Sequence, residues 1–350
     1  MSVALTPEQI KYLEDRIDET RVPTIHICNG IFVGAATISV VLRFLSRRLG
    51  HLGLGKDDYC LFIAYVLYLC FAVALGVTTL FGEGRHVILV TDFRALAINT
   101  LVSTSFYIFG MACVKYSILF LYYRIFPDKQ FHNILFGVAA IVSSWAIASF
   151  LASIFNCYPV EKTWDSSIPG KCINYGTVTL VLGIINILLD FLILGMPMPK
   201  LWKLHISVRR KFFLSIAFAT GCIACVVSIA RLFYAEKTSV ASTMSDIQDS
   251  PYDPSWDDVW PALLGNLEIC TGIVACCAIT YRPLIERIFG SSPSDVQEIY
   301  DERRAWNKIG VNQEAINIGG SPASLTRRDE RQGHLQEWEL RESGLGGNWK

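Results

Sequence analysis

Charge is what this chain is short of. Of its 350 residues, 18% are Asp, Glu, Lys or Arg and 52% are hydrophobic, against about 25% and roughly 45–50% in a typical soluble domain. A mean hydropathy of +0.39 points the same way. The 31 basic and 31 acidic residues cancel, so no net field steers the chain to nucleic acid or to an acidic substrate. Catalytic signatures are missing too: there is no H-E-x-x-H pair for zinc and no G-x-S-x-G turn to present a nucleophilic serine. His26, His51, His86, His132, His205 and His334 fall at the ends of apolar runs or in polar segments, which argues against a histidine-rich hydrolase or desaturase centre. No Asn-x-Ser/Thr sequon occurs. No metal and no cofactor is expected.

The chain does have apolar runs long enough to cross a hydrocarbon core of about 30 Å, which takes roughly 20 helical residues. Seven are found, at 24–45, 59–80, 97–122, 133–155, 175–196, 212–234 and 259–279. Runs of that length without period-2 alternation exclude a barrel, and in lipid a helix must satisfy its own backbone. The expected fold class is therefore an all-α polytopic membrane protein, a seven-transmembrane-helix bundle. Its short loops carry ten basic residues on one side, Arg47, Arg48, Lys56, Arg124, Lys129, Lys200, Lys203, Arg209, Arg210 and Lys211, and five on the other, Arg85, Arg94, Lys162, Lys171 and Lys237. The positive-inside rule then places the N-terminus outside and the C-terminus in the cytosol. Residues 1–23 lack an apolar signal core and read as an external amphipathic segment, 24–289 as the membrane domain with an interfacial stretch at 282–289, and 290–350 as a disordered cytosolic tail.

Nine of eleven cysteines lie in or at the ends of runs, while Cys157 and Cys172 share one outward loop. In an oxidising compartment that pair is expected to form a disulfide. The C-x-x-C of Cys222 and Cys225 and the adjacent Cys276 and Cys277 have no neighbouring ligand and read as packing residues. Asp57 and Asp58 read as acidic caps of the second helix, and Asp257 and Asp258 as caps of the seventh, with Trp256 and Trp260 as interfacial anchors. Gly30 and Gly34 suggest a close helix contact within one chain.

Ionisable residues inside apolar runs are costly, and four stand out: Lys115, Asp190, Arg231 and Glu268. Lys115 and Asp190 lie at similar depths and are placed to pair; Arg231 is within reach of Glu268. Asn186, one turn before Asp190, shares its face, and Tyr107 and Ser117 add polar groups to the third helix.

Several strings together resemble the fungal rhodopsin-like integral membrane protein family: K-D-D-Y at 56–59, K-Y-S-I-L-F-L-Y-Y-R-I-F at 115–126, C-Y-P-V with Trp164 and G-K-C, and N-I-L-L-D-F-L-I-L-G-M-P-M-P-K-L-W at 186–202. S-I-A-R-L at 228–232 and the segment 268–272 also match. That family includes a satratoxin-cluster membrane protein and is related to fungal receptor-like surface-sensing proteins. The resemblance implies a filamentous fungus, seven helices and a cytosolic tail. The seventh run holds no lysine, so a retinal Schiff base has no amine to form on.

Two functions compete. One is a receptor-like protein binding a small apolar ligand within the bundle through Lys115, Asn186, Asp190, Arg231 and Glu268, with a cytosolic partner for the tail. The other is a membrane-embedded enzyme of cyclase type, or an accessory factor of secondary metabolism, in which Asp190 or Glu268 donates a proton to a lipophilic pathway intermediate. Either way the lipid bilayer is a partner and nucleic acid is not. A transporter is disfavoured by the absence of an inverted repeat.

Overall fold

The computed structural model describes residues 16–49, 53, 55–126, 128–165, 167–199, 219–235, 253–278 and 280–281. Most of the expected N-terminal segment, the basic loop at 200–211, the stretch 282–289 and the tail 290–350 lie outside these residues.

The described part is mostly helical. Helix α1 is Val22–Leu49, α2 Lys56–Thr78, α3 Phe93–Ile125, α4 Lys129–Ile154 and α5 Tyr175–Gly195. Then come α6, Ala219–Ala235, and α7, Val259–Ala278, preceded by the single turn Pro254–Asp257. Among the described residues, α1 to α5 and α7 are long and apolar enough to cross a membrane, and α6 is a shorter apolar helix. Polar residues cap the first turns of three helices, and two of these, α3 and α4, start ahead of their apolar runs. Asp92 accepts from the Ala95 amide, Asp128 from that of Gln130 and Asn174 from that of Thr177. After α2 the chain turns through Gly82 at φ 115°, a conformation open to glycine because it has no Cβ.

Side chains are sorted as lipid would sort them. Ile27, Ile31, Val73, Phe136 and Phe233 point outward, each more than half exposed, whereas Asn186, Asn266, Lys115 and Glu268 are buried. Helix α2 lies along α3, and α1 packs against α7. A chain of buried amides joins them: Tyr68 donates to Asn266 Oδ1 at 2.7 Å, Asn266 to Asn29 Oδ1 at 2.8 Å, and Asn29 to the Ala72 carbonyl at 2.8 Å. The close contact expected at Gly30 and Gly34 is absent: nothing among the described residues stands within 4 Å of a Cβ built at either. The buried stripe of α1 instead runs through Ile25, Ala36, Val40 and Arg43, which turns both glycines away from the bundle.

Between α4 and α5 the strands β1, Cys157–Tyr158, and β2, Lys171–Cys172, pair antiparallel with Cys157 opposite Cys172. The expected disulfide joins those two residues. Gly170 meets the Tyr158 carbonyl where any Cβ would collide. Replacing Cys157 by Ser is expected to cost about 3 kcal/mol for a loop of this length. Thermal unfolding under oxidising conditions should show it, and a reductant should bring the unaltered protein down to the variant.

Candidate functional site

Four helices place polar groups at one point by spacings of one or two turns. Tyr107 and Lys115 share a face of α3; Asn186 and Asp190 stand one turn apart on α5, Ser228 and Arg231 on α6. Glu268 projects from α7. Gly265 and Gly272, about one turn to either side of it, admit close neighbours: a Cβ at Gly272 would stand 3.0 Å from Val114, and one at Gly265 3.6 Å from the Tyr107 ring.

Glu268 is the hub. Tyr107 donates to its Oε2 at 2.6 Å, and Asn186 and Ser228 donate to its Oε1 at 2.8 and 2.6 Å. Arg231 Nε stands 2.8 Å from Oε2 as an ion pair, outside the alignment of a hydrogen bond. The guanidinium also lies 4.8 Å from the centre of the Tyr107 ring, a cation–π arrangement. Beside this hub, Lys115 pairs with Asp190 Oδ1. The Ser228 hydroxyl links the two carboxylates, 2.6 Å from Glu268 and 3.2 Å from Asp190. Two cations thus balance two anions where water is scarce, the condition under which a buried charge persists.

A cavity of about 70 Å³ opens against this network, between α3, α5, α6 and α7. Lys115, Asp190, Ser228 and Glu268 supply its polar wall; Met111, Val114, Ile118, Tyr122, Ile193 and Leu194 are among its apolar lining. Its volume suffices for a few water-sized groups and falls short of a ring.

The structure thus brings Lys115, Asn186, Asp190, Arg231 and Glu268 together. Ser228 belongs with them, and its one-turn spacing from Arg231 is the signal of it in the sequence. Ser117 does not belong: it donates to the Asp57 carbonyl at 2.7 Å, in a second cluster described below.

The fungal rhodopsin domain profile matches residues 42–287, which span α2 to α7 and every residue of the polar centre. The chain belongs to the fungal rhodopsin domain family. A SAT4 family membrane protein of Emericella nidulans is 31% identical over 216 residues, 60% of this chain and 52% of that protein. Satratoxin biosynthesis SC1 cluster protein 4 of Stachybotrys chartarum is 24% identical over 67% of this chain and 80% of its own length. Receptor GIN3 of Arthrobotrys oligospora is 28% identical over 66% of this chain and 52% of the receptor. The chain therefore spans about half the length of two of these relatives. No solved structure matches.

Two further polar clusters brace this fungal rhodopsin domain, one at each end. In the first, Arg43 is buried and reaches three partners: Asp58 Oδ1 at 2.8 Å, Asp57 Oδ2 at 2.7 Å and the Cys276 carbonyl on α7 at 2.7 Å. Arg47, one turn on, donates to Asp57 at 2.5 Å, and Arg124 of α3 stands 3.6 Å from Asp57. Asp58 still accepts from the Gly55 amide at 2.9 Å, so it caps α2 as expected. The pair does more than cap: its carboxylates tie α2 to α1 and α3, and Arg43 carries the link on to α7.

At the other end, Trp256 is no free interfacial anchor. It stacks on His86 at 4.5 Å and under the Arg21 guanidinium at 4.1 Å, while Arg21 donates to its carbonyl at 2.7 Å. Asp253 receives His86 Nδ1 at 2.9 Å and the Ser255 hydroxyl at 2.9 Å. Glu83 is buried beside them, and burial, aided by Asp258 and Asp253, pushes its carboxyl up to about 8 from the usual 4.5. Between those values the folded chain holds a proton that the unfolded chain has released, so stability falls as pH rises through that window. Unfolding midpoints taken between pH 5 and pH 9 should decline up to about 8 and then level off. Glu83→Gln should remove that slope.

Proposed function

We propose that the protein is a seven-helix, receptor-like membrane protein that binds a small, largely apolar ligand between α3, α5, α6 and α7. The N-terminus lies outside and the tail in the cytosol, where it meets its signalling partner. The observation that carries this reading is the cavity walled by two linked ion pairs. Groups so costly to bury are kept in membrane helices chiefly where they serve a site. The name of Receptor GIN3 supports it. The excess of Lys and Arg on one side and the Cys157–Cys172 disulfide on the other support the orientation.

A second reading, a cyclase-type enzyme or accessory factor of a biosynthetic pathway, is favoured by one observation: a relative is named for the satratoxin cluster. The geometry of Glu268 weighs against it as general acid. Such a group must present a proton, and Glu268 is bound by three donors and a cation.

A deletion strain separates the two. Loss of a response to an external compound, with an unchanged metabolite profile, is expected. Accumulation of one biosynthetic intermediate, reproduced by Asp190→Asn, would overturn the receptor reading in favour of the enzyme.

A further inference from the structure

The donors and acceptors around the cavity are unequally served. Glu268 has partners on both oxygens. Asp190 is served less well: Oδ1 takes Lys115, and among the described residues Oδ2 has the Ser228 hydroxyl at 3.2 Å. The single proton of Ser228 is better placed for Glu268 at 2.6 Å or the Ala224 carbonyl at 3.1 Å. One turn away, Asn186 Oδ1 is a fully buried acceptor with no described donor. On the donor side, the Lys115 ammonium carries three N–H groups and has Asp190 as its one hydrogen-bond partner among the described residues. Among the described residues the wall of the cavity therefore offers a donor with N–H groups to spare beside a weakly served acceptor, both in an apolar surround.

This pairing discriminates between head groups. An ammonium would face Lys115, and a carboxylate would face Asp190 and Glu268. An ether or ketone accepts from Lys115 and leaves Asp190 Oδ2 unserved. A hydroxyl does both, accepting from the ammonium and donating to the carboxylate, and it is neutral, so it leaves the charge balance of two cations and two anions intact. Its head is also small enough: about 70 Å³ takes a hydroxymethyl-sized group and no ring, and the cavity is partly open, so an apolar tail extends out of it. We infer that the cavity binds a lipophilic alcohol, its hydroxyl bridging Lys115 and Asp190 and its apolar remainder running along Met111, Ile118 and Leu194. The inference rests on the ligand-binding reading above and names the class of ligand at that site.

The test uses the full chain in lipid nanodiscs with a diazirine-bearing octanol as photolabel, the labelled peptides being located by mass spectrometry. Labelling is expected on the cavity-lining parts of α3, α5, α6 or α7. Unlabelled 1-octanol should compete at least about tenfold better than octyl methyl ether, octylamine or octanoate, the loss expected when one buried hydrogen bond goes unmade. The paired replacement Lys115→Met with Asp190→Leu, which leaves no unpaired charge behind, should abolish that preference. Cavity labelling competed equally by all four compounds, or best by the amine or the acid, would overturn the alcohol assignment and leave a ligand site in place. No cavity labelling at all would overturn both, with water as the cavity's occupant. Since the ranking is measured on the unaltered protein, it does not depend on the variant folding.

Discussion

Glu268→Met should leave little folded protein. The change strands the Arg231 guanidinium without its counter-charge and removes the acceptor of Tyr107, Asn186 and Ser228 in one step. Breaking a buried pair on one side costs about 3–5 kcal/mol, a large share of the roughly 5–15 kcal/mol that holds a domain folded. Arg231→Met alone should cost less, because Glu268 keeps three donors. Combining the two should restore part of what Glu268→Met loses, since two apolar side chains of similar length leave no charge behind. Monodisperse yield after detergent extraction and unfolding midpoints, read as a double-mutant cycle, measure the coupling. A Glu268→Met protein as stable as the unaltered one would show that the hub is not structural.

The second large effect is expected at Arg43. Arg43→Met removes two of the closest contacts to Asp57 and Asp58 and the link to the Cys276 carbonyl, leaving two buried carboxylates to Arg47 and the half-exposed Arg124. A loss of about 3–5 kcal/mol is expected here as well. Arg48→Met is the control. Arg48 is exposed, and surface changes of that kind stay within about 0.5 kcal/mol. Equal unfolding midpoints for the two variants would dismiss the cluster as a brace.

Why the sequence announced one charged centre and concealed the other follows from position along the helix. Lys115, Asp190 and Glu268 sit well inside apolar runs, where an ionisable group is conspicuous, Arg231 lies within reach of Glu268 nearer the end of its own run, and the i, i+4 spacing of Asn186 and Asp190 puts both on one face. Arg43 stands at the end of a run, where arginine usually marks the membrane boundary. Only the continuation of α1 to Leu49 reveals that Arg43 and Arg47 point inward. Asp57 and Asp58 were hidden by a sufficient local explanation, the helix cap. Ser228 was silent because a helical serine can satisfy itself on its own backbone, and the Ala224 carbonyl stands 3.1 Å away. The stack of Arg21, His86 and Trp256 joins residues too far apart in the chain for any spacing rule to connect. The Gly30 and Gly34 pattern was legible as a motif but not as a direction, since a glycine stripe does not say which way it faces.

Among the described residues, the last long helix to be synthesised is also the one on which the others close. Arg21 waits for the Trp256 carbonyl just ahead of α7, Asn29 for Asn266, Arg43 for the Cys276 carbonyl, and Tyr107, Asn186, Ser228 and Arg231 for Glu268. Translation delivers the chain from its N-terminus, so each of these groups enters the bilayer before its partner exists. During biogenesis the nascent bundle carries polar groups it cannot yet pair, and the arrival of α7 ends that state at both membrane faces and at mid-depth together. A chain cut before residue 253 would leave Tyr107, Asn186 and Arg231 without Glu268, while Arg43 would keep Asp57 and Asp58 and Asn29 the Ala72 carbonyl.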